Sequence, residues 1–365
     1  MLQAMFTIHM SEEVMSNASK DASPPSESWS LEGLQDPVFE LYRVRFPQVM
    51  AAYGDYEVEK TKQDIVYHLQ FLEESVWAQD PALFIDYVVW ARVLFKGLGI
   101  PVSWLQDSLL CIRDALGDSP SDGMAKEHIG KALMELQKED ADASLLKVSS
   151  SYHKEMKEYS DRLVEGRRQE ARQVVMRMVD SGVSIKEIYM QVFQPAMYWI
   201  GWLWQNKRVS VAQEHYATAA TNLIMAELYS RVAESPRIGR SLVATSVSGE
   251  LHEMGIRMVA DIFEMEGWDT YFLGASTPKD SVLEMVKAHE ADVLAVSATM
   301  TFHILKVKEL ISHVRNAMGD KAPKIIVGGY PFKISEGLWK SVGADGFSED
   351  AEAAVALANK LVEQR

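Results

Sequence analysis

The residues best placed to do chemistry are Glu250-Leu251-His252-Glu253-Met254-Gly255, between an apolar run, Leu242 to Val247, and an amphipathic stretch, Ile256 to Glu266. The run reads as a short buried strand and the stretch as a helix, because the apolar spacing changes from continuous to helical. Open parallel sheets hold ligands outside the carboxyl ends of their strands, which is where this loop falls. Imidazole is the commonest protein ligand for a transition metal. Glu250, two residues before His252, is spaced to accept the other ring N–H and so orient the imidazole. Six residues alone describe a solvated loop as well as a site, so the weight falls on the spacing downstream.

After Gly255 come 41 residues (256 to 296) and then Ser297-Ala298-Thr299, which closes a second apolar strand, Val293 to Ala298. After Thr299 come 28 residues (300 to 327) and then Gly328-Gly329, which closes a third, Lys324 to Val327. Three loops in this order and at these intervals resemble the cobalamin-binding signature, an acid-x-His-x-x-Gly loop followed by a Ser-x-small/apolar pair and a Gly-Gly. Glu250 stands where many members have Asp, and Thr299 where many have Leu. The resemblance implies that His252 binds cobalt from below and displaces the cofactor's own benzimidazole. Ser297 would hydrogen-bond the buried nucleotide base, while Gly328 and Gly329 let backbone approach a ring that side chains would keep away.

Upstream, Trp204 is followed by nine residues (205 to 213) and then Glu214-His215. Four helices ahead of a cobalamin fold resemble the cap that covers the upper face of the corrin. In methyltransferases that cap shields methyl-cobalt. In the adenosylcobalamin photoreceptors a Trp, nine residues, then Glu-His covers the adenosyl group, and Trp204, Glu214 and His215 resemble that pattern. An indole face can stack on adenine, and a carboxylate can take two ribose hydroxyls. One departure matters: the photoreceptor histidine that captures cobalt after photolysis is replaced here by Gln205, a poor cobalt ligand, which puts permanent capture in doubt.

The elements that must position these residues follow from the rest of the chain. It has 365 residues, enough for two or three domains, with 47% apolar and 24% charged residues and a formal charge of −15. That excess of acid disfavours direct nucleic-acid binding. No long apolar run predicts a membrane span, and Met1 to Met10 lacks the pattern of a secretory signal. A single cysteine, Cys111, excludes an internal disulfide and suits a reducing cytoplasm, and Leu109-Leu110-Cys111-Ile112 reads as a buried thiol rather than a pigment attachment. Residues 1–35 are polar and read as a disordered tail.

Residues 36–140 are helical throughout. Asp80-Pro81 starts a helix over Ala82 to Lys96, Ser103 caps Trp104 to Leu116, and a further helix covers Met124 to Glu139. A polar linker runs from Lys138 to Ser151. The stretches around Asp64, Tyr67 and His68, and around Tyr87 and Trp90, ahead of a cobalamin module, resemble the photocobilins, whose globin-like domain holds a bilin. On that resemblance the five residues would line a biliverdin pocket; on composition alone they belong to a packing or dimerisation module. Residues 152–235 form the four-helix cap, with Asp161 to Val179 read as one helix and Ser184 capping Ile185 to Phe193. Residues 236–365 alternate strand and helix, which predicts a parallel flavodoxin/Rossmann-like sheet with further strands at Thr270–Leu273 and near Gly346.

The sequence therefore predicts an α plus α/β protein. The photoreceptor resemblance implies a cytoplasmic light sensor, not an enzyme, that binds adenosylcobalamin through His252, with Gly255 and Thr299 among its contacts. It would be sensitised by a bilin and would signal by self-association or through another protein. Two other readings remain: a corrinoid methyl carrier of a methyltransferase system, and a cobalamin-storage module.

Overall fold

In a computed structural model the protein is described for residues 29–51, 54–138, 149–229 and 236–364. It divides into two compact units, Met1–Ala141 and Asp142–Arg365. No helix among the described residues is long and apolar enough to cross a membrane.

The first unit is built of helices α1 (Gln35–Arg45), α2 (Pro47–Met50), α3 (Asp55–Trp77), α4 (Pro81–Gly97), α5 (Val102–Ala115) and α6 (Pro120–Leu136). Asp80 caps α4 by accepting the Ala82 N–H, with Pro81 in the first turn. Helix α6 starts four residues before the expected Met124. Ser119 caps the Asp122 N–H, and the Asp122 carboxylate returns to the Ser119 N–H. Of the expected tail, residues 1–28 lie outside the described residues. Trp29 and Leu31 belong to the fold: the Trp29 indole donates to Asp122 at 2.9 Å, and Leu31 is buried. Cys111 is fully buried, and burial pushes its thiol pKa up.

The second unit begins with the cap: α7 (His153–Val164), α8 (Arg168–Asp180), α9 (Ile185–Ile188), α10 (Gln194–Gln205) and α11 (Val211–Tyr229). The single helix expected over Asp161 to Val179 is two, because the chain turns at Gly166 with φ +76°. Conversely, α9 and α10 form one continuous rod through a π-helical turn, Tyr189–Phe193. Its cause is Pro195, which has no N–H to give the Gln191 carbonyl one turn earlier. That carbonyl instead accepts the Ser150 hydroxyl at 2.6 Å. The cap is thus four helical rods, as expected.

The remainder is β1 (Ser241–Ser246), α12 (Met254–Met265), β2 (Asp269–Phe272), α13 (Lys279–Ala288), β3 (Val293–Ser297), α14 (Ile304–Met318), β4 (Lys324–Gly328), α15 (Tyr330–Ile334), α16 (Leu338–Ser341), β5 (Gly346–Phe347) and α17 (Ala351–Glu363). All five strands are parallel, in the order β2-β1-β3-β4-β5. Ser246, Ser297 and Gly328 lie side by side in register at the carboxyl ends of β1, β3 and β4. The order reverses between β1 and β3, so the loops after these strands open the crevice where such sheets bind ligands.

One apolar core joins cap and sheet, running from Tyr159, Tyr189 and Phe193 to Ile262, Phe263 and Trp268. A polar seam crosses it: Tyr189 donates to Asp261 at 2.9 Å and Tyr229 to Glu264 at 2.6 Å. Burial pushes the Asp261 carboxyl up to about 6 despite the Tyr189 bond.

Candidate functional site

β1 delivers its loop in a fixed shape. The Glu250 N–H bonds the Val247 carbonyl at 2.9 Å, and the Ser246 hydroxyl donates to the His252 carbonyl at 3.2 Å. Gly249, at φ +83°, makes the turn, and its N–H donates to the Ser276 hydroxyl oxygen. The result sends Glu250 inward and His252 outward: Glu250 is fully buried, while the His252 side chain is 57% exposed.

Glu250 Oε1 accepts the His252 backbone N–H at 3.0 Å and its ring Nδ1–H at 2.5 Å. Oε2 accepts the N–H groups of Thr299 and Met300 at 2.8 and 2.9 Å, and His303 Nδ1–H at 3.1 Å. Burial alone would raise the carboxyl pKa, but the two imidazoles hold it well below the usual range. For His252, the surrounding protein favours the neutral ring. The Glu250 charge and hydrogen bond outweigh it, helped by the charge of Glu214 from the cap, and keep the imidazole above its ordinary pKa. With Nδ1 committed to Glu250, Nε2 is the ring nitrogen left for a metal.

The expected residues around it come together at the sheet mouth. Ser297 and Gly328 are half-buried neighbours. Gly329 has φ +107°, and a Cβ there would run into the Ala298 carbonyl, so only glycine lets the β3 and β4 loops meet this closely. Thr299 serves through its backbone N–H on Glu250. Gly255 is exposed in the first turn of α12, and a Cβ there would meet no protein atom. In the cap, Trp204 and Gln205 end α10, which packs on α11. Glu214 is already engaged: its carboxylate accepts His215 Nδ1–H at 2.5 Å and the Thr218 hydroxyl at 3.0 Å. His303 escaped the sequence reading, although a histidine just past the end of β3, at the same crevice, is the signal that places it.

The five residues read as pigment contacts lie in the first unit. Tyr67, His68 and Tyr87 are buried and Asp64 and Trp90 half-buried, on helices α3 and α4 that pack together. His68 Nδ1 is hydrogen-bonded to the Tyr87 hydroxyl at 2.7 Å, and Phe71 stacks on the Tyr87 ring at 3.7 Å. Burial pulls the His68 imidazole down to about 3, so the ring is neutral, and pushes the Tyr67 phenol up to about 12. His68 and Tyr87 thus bond each other within the packing of α3 on α4.

The residues present fit a corrinoid: one oriented imidazole, two glycines at the end of a nearby strand, and a helical bundle whose Glu214 acts on that imidazole. Comparison with known proteins agrees. Residues 156–229 and 240–358 each match a family model described as a B12 binding domain. A corrinoid protein of Desulfitobacterium hafniense is 23% identical over 211 residues, 56% of this chain and 96% of that one. Monomethylamine corrinoid protein 1 of Methanosarcina acetivorans is 27% identical over 197 residues, 52% of this chain and 89% of that one. Dimethylamine corrinoid protein 2 of the same organism is 28% identical over 145 residues, 40% of this chain and 65% of that one. The structure of the Methanosarcina barkeri monomethylamine corrinoid protein is matched over its whole length, 58% of this chain, with a TM-score of 0.52 and 20% identity, which shows the shared fold. These relatives correct the expectation of a photoreceptor standing outside any enzyme system, since they are named as corrinoid proteins of monomethylamine and dimethylamine. Both parts of the second unit thus carry B12-binding domains, and the matches support membership of a cobalamin-binding family.

Proposed function

We propose that the second unit binds a corrinoid with His252 beneath the metal, and that the chain is the methyl-carrying component of a methyltransferase system, with methylamines as the class of methyl donor. The observation that carries this is the His252 imidazole, pinned through Nδ1 to a fully buried carboxylate while its side chain stays largely exposed. When bound, the corrinoid supplies a cobalt that can take up and give off a methyl group. The chain does the rest. Glu250 fixes the Nδ1–H tautomer, so that Nε2 carries the lone pair. The Ser297 hydroxyl and the Gly328-Gly329 backbone line the slot, and Trp204 and Glu214 stand in the cap. A methyl donor protein is the partner this reading requires.

The experiment loads the purified full chain with hydroxocobalamin and records its spectrum in the dark and under green light, beside His252→Ala. The unmodified protein is expected to bind the cofactor with its benzimidazole displaced and histidine in its place. The variant is expected to lose that spectrum. After an added low-potential reductant brings the bound cobalt to the +1 state, methyl uptake from a methylamine is expected in the dark, with a cognate methyltransferase supplied. A spectrum unchanged by His252→Ala, or a light-dependent change of state without methyl uptake, overturns the proposal.

A further inference from the structure

Helix α11 is apolar on two faces. One of them, with Ala217, Ala220, Ile224, Met225 and Leu228, is buried within the second unit. On the other, Ala212, Tyr216, Ala219, Leu223 and Ala226 are exposed, at alternating intervals of four and three residues. That is the spacing of a coiled-coil seam, and it runs for about 21 Å along the helix. Leu223 is 56% exposed and Tyr216 37%. The cap helices α7 and α8 show what a solvated face looks like: their exposed residues are all polar, among them Lys154, Lys157, Gln169 and Arg177. A helix that is apolar all round is one that is covered.

The seam borders a groove of about 370 Å³ between α8 and α11, lined by Arg168, Gln169, Arg172, Leu223, Ile224 and Glu227. Tyr216 is held beside it, its hydroxyl donating to the Gly166 carbonyl at 2.8 Å. Charge separates the two ways of laying one such helix on another. Lys207 and Arg208 are exposed just ahead of α11, and Glu227, which Arg172 also pairs with, is exposed in its last turn. A parallel pair would set each of these groups against its own copy. An antiparallel pair sets Lys207 and Arg208 beside the Glu227 of the other copy and opposes the two helix dipoles.

We propose that this face of α11 docks a second copy of the chain, antiparallel, about a two-fold axis at Ala219. A closed dimer uses the same patch twice, and this patch complements itself. Ala219 at the axis lets the two backbones come within about 8 Å of each other. Each Ala212 then lies opposite the other copy's Ala226, and each Tyr216 opposite its Leu223. There the ring meets the mouth of the groove, where Arg168 and Arg172 can stack on an aromatic face. The surface uses neither His252 nor the sheet mouth, so it stands or falls independently of the corrinoid.

Sedimentation of the full chain, without added cofactor, reads the association. The unmodified chain is expected to be a dimer at micromolar concentration. Leu223→Glu, at a position outside the core, is expected to raise the dissociation constant at least about a hundredfold. Cysteine variants and a short bismaleimide fix the geometry, with the unmodified chain, whose Cys111 is buried, as the background. Ala219→Cys is expected to crosslink to its own copy across the axis. Ala212→Cys, about 21 Å from its own copy, is expected not to, yet to crosslink when mixed with Ala226→Cys. A chain that stays monomeric, a dimer indifferent to Leu223→Glu, or Ala212→Cys crosslinking to itself overturns the proposal.

Discussion

Replacing Asp261 by asparagine tests whether the seam between cap and sheet carries a real electrostatic cost. Asp261 is 7% exposed and accepts the Tyr189 hydroxyl at 2.9 Å. Burial lifts its carboxyl from an ordinary 3.8 to about 6; the Tyr189 bond and the Arg257 charge oppose the rise, and Glu264 adds to it. Between those two pH values the folded protein keeps a proton that the unfolded chain has released. Stability therefore falls as pH rises through this window, and the loss is complete above about pH 6. The gap between 3.8 and about 6, at about 1.36 kcal/mol per pH unit, amounts to about 3 kcal/mol. Asparagine has the shape of the uncharged acid, keeps an oxygen for Tyr189 and does not ionise. Asp261→Asn is thus expected to stabilise the second unit by about 3 kcal/mol at pH 7.5, and by less than about 1 kcal/mol at pH 4. Urea denaturation of the full chain at several pH values measures this, with Trp268, fully buried and edge-on to Phe263, among its fluorescent reporters. A gain of the same size at pH 4 and pH 7.5, or a loss at pH 7.5, would refute the reasoning.

Two further substitutions probe the mouth of the sheet. Glu250→Gln places an amide NH₂ among five N–H donors and leaves several of them facing another donor. It is expected to cost the second unit about 3–5 kcal/mol at pH 7, and urea midpoints within about 1 kcal/mol of the unmodified protein would contradict that. Gly329→Ala forces a Cβ into the Ala298 carbonyl at a φ that side chains rarely adopt, for a strain of about 1–3 kcal/mol. The Ala298 N–H, bonded to the Gly328 carbonyl at 3.2 Å, should then exchange with deuterium faster, whereas Gly255→Ala, with nothing to collide with, should leave that exchange unchanged.

Much of the sheet domain was legible because each of its signals is local. A buried parallel strand is a short apolar run, a glycine pair after one marks a close approach, and β1, β3 and β4 came within a residue of their expected ends. The cap was harder. The break at Gly166 sits inside an unbroken amphipathic pattern, and the continuity through Pro195 depends on Ser150, more than forty residues away, taking over the orphaned Gln191 carbonyl. Neither periodicity nor propensity reports a long-range hydrogen bond of that kind. The pair Glu250 and His252 could be read from their spacing. The service of Thr299 through its backbone could not, because an N–H group has no letter in the sequence. In the first unit, the helical spacing of Tyr67, His68 and Tyr87 could not report that His68 bonds the Tyr87 hydroxyl or that Phe71 stacks on the Tyr87 ring.

The physical centre of the site is the carboxylate rather than the imidazole. An ionised Glu250 without exposure to water is tolerable only if its donors are all in place, since an unpaired buried charge costs several kcal/mol. Those donors come from two loops, the one after β1 and the one after β3, together with the 3₁₀ turn that follows, so the same charge that orients His252 also requires the β3 loop to close over it. Mispositioning either loop strands the charge, which makes the imidazole geometry a condition of folding and not a response to a ligand. On the reading of His252 as the metal ligand, such preorganisation is what it needs, because the direction of its Nε2 is then fixed before a metal arrives.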